Sequence, residues 1–168
     1  MSFYVLIRGP LGAGKTTIAE QLSAALGGRH LAIDVILEKY HLEEWDQDYI
    51  SERSFLRANE IAAAEAEDLI RTGTPAVIDG NYYYRSVVED LERRLAFPHL
   101  VVTLKVPLSV CVTRDAGRTP SYGEEAAREV FQKTTEFDCG HVVDAARPVE
   151  EVLRDVISEL HLRGLVGA

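Results

Sequence analysis

Eight residues near the amino terminus, Gly9-Pro10-Leu11-Gly12-Ala13-Gly14-Lys15-Thr16, narrow the choice of fold more than any other part of the chain. They satisfy the spacing GxxxxGK[ST], follow an apolar run at 3–8 and precede a helical pattern at 15–26. Each residue type has a physical reason. Gly12 and Gly14 let backbone N–H groups turn inward and approach an anion that a side chain would block. The helix that starts near Lys15 points its positive dipole end at the same anion. Lys15 reaches β- and γ-phosphates, Thr16 offers a hard hydroxyl oxygen to Mg²⁺, and Thr17 is placed to donate to the α-phosphate. Together with the amides of Gly12, Ala13 and Gly14, these residues make a triphosphate cradle. ATP and Mg²⁺ are therefore the expected cofactors.

The remaining chain alternates short apolar runs with longer helical patterns, the mark of βαβ units and a parallel sheet. Strands are expected at 3–8, 31–33, 75–79, 100–106 and 141–144. Helices are expected at 15–26, 51–72, 85–95, 108–116, 124–137 and 149–162. Gly27-Gly28 closes the first helix, as glycine does at a left-handed cap. Residues 35–48 carry a mixed, charged pattern with Trp45 in it, and read as a helix followed by a loop over the site, which Tyr49 extends. No repeat, linker or low-complexity tract interrupts the 168 residues, so one α/β domain is expected over 1–168.

The formal charge of −9 argues against a dedicated nucleic-acid coat or an anionic-membrane binder, though not against a local basic cleft. Cys111 and Cys139 make neither a disulfide framework nor a metal spacing, and the five histidines are scattered. No apolar run approaches membrane-spanning length, and the first strand is too short and too soon interrupted to be a signal peptide. A cytoplasmic protein is expected.

A guanine-reading NKxD-type motif is missing. The third strand ends Val77-Ile78-Asp79-Gly80-Asn81, with one acid followed by a small residue rather than the paired acids of many mechanical ATPases. With this strand end and the phosphate loop, the chain resembles the P-loop small-molecule and polynucleotide kinase group. That group includes shikimate, gluconate and adenylylsulfate kinases, chloramphenicol phosphotransferase and phage polynucleotide kinase. Three further segments support the resemblance: Asp34 at the end of the second strand, where several of these kinases keep a carboxylate that takes the acceptor proton; 106–115, similar to the strand and helix that lead into an arginine-bearing lid; and Asp144-Ala145-Ala146-Arg147-Pro148, similar to the loop that cups adenine. The chain departs from adenylylsulfate kinases in having Val35-Ile36-Leu37 after Asp34 in place of a DGDxxR-like segment. Its Asp79-Gly80…Arg85 only partly echoes adenylate kinases, which lack an acid in the role of Asp34.

The resemblance implies a three-layer P-loop NTPase fold, with a five-stranded parallel sheet in the order 2-3-1-4-5, helices on both faces and a short lid. It implies transfer of the γ-phosphoryl group of ATP to a hydroxyl of a small-molecule acceptor. Asp34, ending the second strand, is the candidate general base, with helix capping as the plain alternative. Asp79 is a candidate for the Mg²⁺ shell beside Thr16, with an Asp-Gly turn as its alternative. Arg114 and Arg118, four apart, are candidates to clamp the transferring phosphoryl group. Arg114 and Arg147 are expected against the nucleotide. Arg53, Arg57, Asn81 and Arg85 are candidate acceptor residues, though salt bridges are the ordinary role for such arginines. Tyr82-Tyr83-Tyr84 reads as packing. A nucleoside-monophosphate kinase, a 5′-hydroxyl polynucleotide kinase and a non-catalytic ATP-binding module remain alternatives, the acidity favouring a small metabolite over a nucleic-acid end.

Overall fold

A computed structural model describes residues 2–167. Five strands form one parallel sheet: β1 (Tyr4–Arg8), β2 (Arg29–Ala32), β5 (Ala76–Gly80), β6 (His99–Lys105) and β7 (His141–Asp144). Their order is β2-β5-β1-β6-β7. Counting only the strands of this sheet, that is the expected 2-3-1-4-5. Two further strands, β3 (Trp45–Asp46) and β4 (Tyr49–Ile50), form a separate antiparallel hairpin. The helices are α1 (Lys15–Ala25), α2 (Ile33–Lys39), α3 (Glu52–Arg71), α4 (Arg85–Arg94), α5 (Leu108–Ala116), α6 (Glu124–Thr134) and α7 (Val149–Leu162). Among the described residues no helix is long and apolar enough to cross a membrane.

Because side chains alternate across a strand, β1 feeds two cores. Tyr4 and Leu6 join Phe55, Ala62, Ile78 and Leu91 under α3 and α4. Val5 and Ile7 join Ile18, Leu22, Val102 and Val156 under α1 and α7. Both faces of the central strands are covered, which is why they read as continuous apolar runs.

Arg8 breaks that run. It shares a face with Tyr4 and Leu6 and is fully buried, yet among the described residues no carboxylate pairs with it. Its guanidinium donates to the carbonyls of Tyr82 (3.2 Å), Phe137 (3.0 Å) and Thr134 (2.6 Å) and to Thr103 Oγ1 (3.3 Å). It also lies 4.0 Å from the centroid of the Phe137 ring, a cation–π distance. One side chain thus binds the end of α6, the turn after β5 and the adjacent strand β6. Burial lowers its pKa, and the cost of desolvating it is offset by hydrogen bonds from four of its five N–H groups.

Three expectations differ from the structure. The segment 35–48 contains a hairpin, because Gln47-Asp48 makes a two-residue turn without the glycine that signals one, Gln47 taking φ 57. The helix expected at 124–137 ends at Thr134, where the Thr134 and Thr135 hydroxyls turn back onto the Val130 and Phe131 carbonyls and Arg8 takes the Thr134 carbonyl. Asp34 does not end the second strand. It is the second residue of α2, whose N-cap is Ala32, so the capping role falls away.

Candidate functional site

The carboxyl ends of β1 and β5 converge on the loop 9–14. Gly14 is the N-cap of α1 at φ 88, a left-handed conformation that glycine adopts without a Cβ penalty. A Cβ on Gly14 would meet only Arg114 Nη1, at 3.9 Å, so its glycine answers to backbone conformation alone. Gly12 has a second reason to be glycine. A Cβ there would lie 2.6 Å from the carbonyl oxygen of Cys111, so the loop must pack directly on the backbone of α5. The amides of Gly14, Lys15, Thr16 and Thr17 stand at the start of α1, where no intrahelical acceptor reaches them. No other protein acceptor meets them among the described residues. A row of free N–H groups at a positive helix end is an anion site.

Lys15 is buried and donates to the carbonyl of Pro10 at 2.9 Å. Burial lowers its pKa, while Asp34 and Asp79 act to raise it. Thr16 Oγ1 donates to Asp79 Oδ2 at 3.1 Å, bringing together the two expected Mg²⁺-side groups. These hard oxygens beside an array of free amides fit Mg²⁺ with a triphosphate. On the other side of Asp79, Oδ1 lies 2.5 Å from His30 Nε2, a contact that sequence reading missed because His30 belongs to no motif.

Asp34 faces this cluster from α2. Its residue is exposed at the start of that helix. Desolvation of the carboxyl group raises its pKa, Lys15 opposes the rise, and Asp79 and Glu43 reinforce it. Arg118 acts on both Lys15 and Asp34, so its charge bears on the same cleft, and its guanidinium sits 5.2 Å from the Tyr122 ring centroid. Arg114 has a separate task. It donates to the carbonyls of Gly12 and Ala13 (3.4 Å each) and of Ala145 (3.1 Å), bracing the phosphate loop against the loop after β7. The expected arginine pair is therefore divided, with Arg114 in the wall of the loop and Arg118 at the cleft.

Beyond Arg114 a cavity of about 190 Å³ opens between Gly14, Thr17 and Ile18 on one side and Ala145, Arg147 and Val149 on the other. Arg147 is held over it by Asp155 and by the carbonyl of Asp144. The loop 117–123, expected as the lid, is clasped by Asp115. Its carboxylate accepts from Ser121 Oγ (2.7 Å) and from the amides of Gly123 (2.9 Å) and Tyr122 (3.0 Å). Burial pushes the Asp115 pKa up, but these donors and Arg118 outweigh it and hold the carboxyl below the ordinary range. Asp115 was also missed, since an acid one residue after Arg114 gives no signal of its loop partners.

The acceptor candidates are less concentrated. Asn81 follows β5, and its Oδ1 is buried without a hydrogen-bond partner among the described residues. Arg57 is exposed and pairs with Glu44 at 3.4 Å. Arg85 lies over Phe137 at 4.7 Å and donates to the carbonyl of Asp138. Arg53 is exposed in the first turn of α3. Tyr82, Tyr83 and Tyr84 pack around Phe55, as expected of packing residues, and the Tyr82 hydroxyl donates to Asn59 Oδ1 at 3.1 Å.

A family model described as AAA domain matches residues 5–137. The chain belongs to that family. Among solved structures, this AAA-domain chain is similar to an unliganded sugar kinase from Janibacter sp. HTCC2649, at TM-score 0.79 and 18% identity over 100% of both chains. It is similar to a gluconokinase from Sinorhizobium meliloti 1021, at TM-score 0.68 and 20% identity over 95% of this chain and 91% of that one. It is also similar to a deoxyadenosine kinase from M. mycoides, at TM-score 0.58 and 17% identity over 95% and 98%. The fold of this AAA-domain chain is thus that of the P-loop small-molecule kinase group. No curated protein matches it significantly.

Proposed function

We propose that the chain transfers the γ-phosphoryl group of ATP to a hydroxyl of a small molecule. The observation that carries this reading is the place of Asp34: it opens α2 two residues after Ala32, which stands opposite Asp79 in the sheet, so its carboxylate belongs to the same sheet edge as the phosphate loop, and the charges of Asp34 and Lys15 act on each other's pKa. A carboxylate beside the phosphate-binding lysine suits an acceptor that must lose a proton. The acceptor oxygen forms a bond to the γ-phosphorus, and the bond from that phosphorus to the bridging oxygen breaks, leaving ADP. The acceptor proton passes to Asp34.

Lys15 exchanges the Pro10 carbonyl for phosphate oxygens, and Arg118 holds the charge that spreads over the transferring group. Mg²⁺, held from the Thr16 and Asp79 side, supplies charge neutralisation to the phosphates when bound. Gly12, Ala13, Gly14 and Thr17 bind the phosphates through the loop, and Arg147 covers the base. Asn81, with an unpaired buried oxygen, is the first candidate to receive a donor from the acceptor. Arg53, Arg57 and Arg85 are assigned to the rim of the acceptor pocket. Both cysteines are free, which suits the reducing cytoplasm as the place of action.

The test is ADP release over a panel of sugars, sugar acids, nucleosides, amino alcohols, nucleoside monophosphates and 5′-hydroxyl oligonucleotides. One hydroxyl compound should stimulate release, and Asp34→Asn should lower that rate by about 10²–10⁴-fold. A monophosphate acceptor that survives Asp34→Asn, or only slow acceptor-independent hydrolysis, would overturn the reading.

A further inference from the structure

Asp79 spends both of its oxygens on side chains, and the two partners come from different elements. Oδ2 receives the Thr16 hydroxyl from α1, and Oδ1 receives His30 Nε2 from β2. The register explains the second contact. In the parallel pairing of β2 with β5, Ala32 stands opposite Asp79 and His30 opposite Val77, so His30 and Asp79 are diagonal neighbours on one face of the sheet. Asp79 is almost wholly buried there and His30 mostly so. A buried carboxylate held at one oxygen alone can rotate about its Cβ–Cγ bond. Held at both, it presents Oδ2 in one direction.

We infer that His30 is a positioning residue that locks Asp79 with Oδ2 turned toward Thr16, and so sets the strength of the Mg²⁺ response of nucleotide binding. The inference rests on the reading above that Thr16 and Asp79 form the Mg²⁺ side of the site. Nε2 donates its proton to Oδ1 in either the neutral Nε2–H tautomer or the imidazolium, so the lock requires an N–H and not a charge. Leucine at position 30 fills a similar volume without a donor. Glutamine restores an N–H on a chain of comparable reach.

Binding of a fluorescent ATP analogue, titrated in EDTA and then with increasing Mg²⁺, reads the effect without any acceptor. His30→Leu should keep the EDTA affinity within about twofold and need about 10-fold or more additional Mg²⁺ for half of the tightening. His30→Gln should stay within about threefold of the wild type, and His30→Leu should add nothing further in an Asp79→Asn background. A wild-type Mg²⁺ response in His30→Leu overturns the inference. So does an equal loss in His30→Gln, an undiminished loss on top of Asp79→Asn, or a fall in EDTA affinity as large as the fall with Mg²⁺. If Asp79→Asn itself leaves the Mg²⁺ response intact, the assignment of Asp79 to the metal side fails together with His30. A failure of His30 alone leaves that assignment standing.

Discussion

The proposed phosphate and acceptor sides of the cleft are built from different materials. The phosphate side is mostly main chain: free amides at the start of α1, and loop carbonyls of Gly12 and Ala13 gripped by Arg114. The side proposed for the acceptor is mostly side chain: Asp34 on α2, the tyrosines around Phe55, the β3–β4 hairpin and Asn81 after β5. A backbone cradle demands a fixed spacing of glycines and leaves a written pattern. A side-chain pocket can be made in many ways and leaves none. The difference also sorts the consequences of mutation, since loss on the first side should strike every nucleotide-dependent step and loss on the second should strike the acceptor alone.

Lys15→Met is the strongest challenge to this division. It should lower turnover about 1,000-fold with any acceptor, measured as ADP release, because one buried charge serves the transferring group. A loss confined to one acceptor would break the division. Arg114→Met should weaken ATP affinity about 10–100-fold by calorimetry, since it removes charged hydrogen bonds to three loop carbonyls worth about 1.5–3 kcal/mol. It should leave the Michaelis constant of the acceptor in place. Asp115→Ala should cost about 2 kcal/mol of stability by denaturant titration, because three donors of the loop 117–123 lose their acceptor.

That last cost carries a pH signature. Asp115 is held below the ordinary carboxylate range, so its contribution is present above the unfolded value near about 3.9 and is lost as pH falls through the folded value. Wild type and Asp115→Ala should therefore converge in stability only in strong acid. Asp34 works in the opposite direction. Its pKa is raised and in the proposed transfer it must be ionised to accept a proton, so acceptor turnover should rise with pH along a limb above the ordinary carboxylate range. Asp34→Asn should abolish that limb in the residual rate. Smallest of all, Arg57→Ala should change stability by no more than about 0.5 kcal/mol, since its pair with Glu44 is exposed. A rise in acceptor Michaelis constant in that variant would sharpen the acceptor side by placing Arg57 on it.

The same division governs what could be read from residues alone. The element order of the main sheet and the cradle from Gly9 to Thr16 were legible because apolar periodicity and glycine spacing are local, while the strand order came from the resemblance to the P-loop kinase group. The hairpin at 45–50 was not, since Gln47 takes a left-handed conformation without announcing it. Asp34 was found but set at the end of the second strand, because β-branched Ile33 continues the apolar run of Leu31 and Ala32, whereas the strand stops at Ala32 and α2 begins at Ile33. His30 and Asp115 escaped because their partners, Asp79 and the amides near 122, are joined to them by sheet register and by a loop clasp rather than by spacing.

The guanidinium of Arg8 has a mechanical corollary. Two of its four acceptors belong to the last residue of α6 and the stretch just beyond it, and the guanidinium that reaches them is fully buried. A swing of α6 that carried its carboxyl end along would break two charged hydrogen bonds, at roughly 1.5–3 kcal/mol each. The fulcrum of such a swing therefore lies at Thr134, and the travel grows toward the glycine at 123. Because the acceptors there are peptide oxygens, the anchor persists whatever side chain occupies position 134.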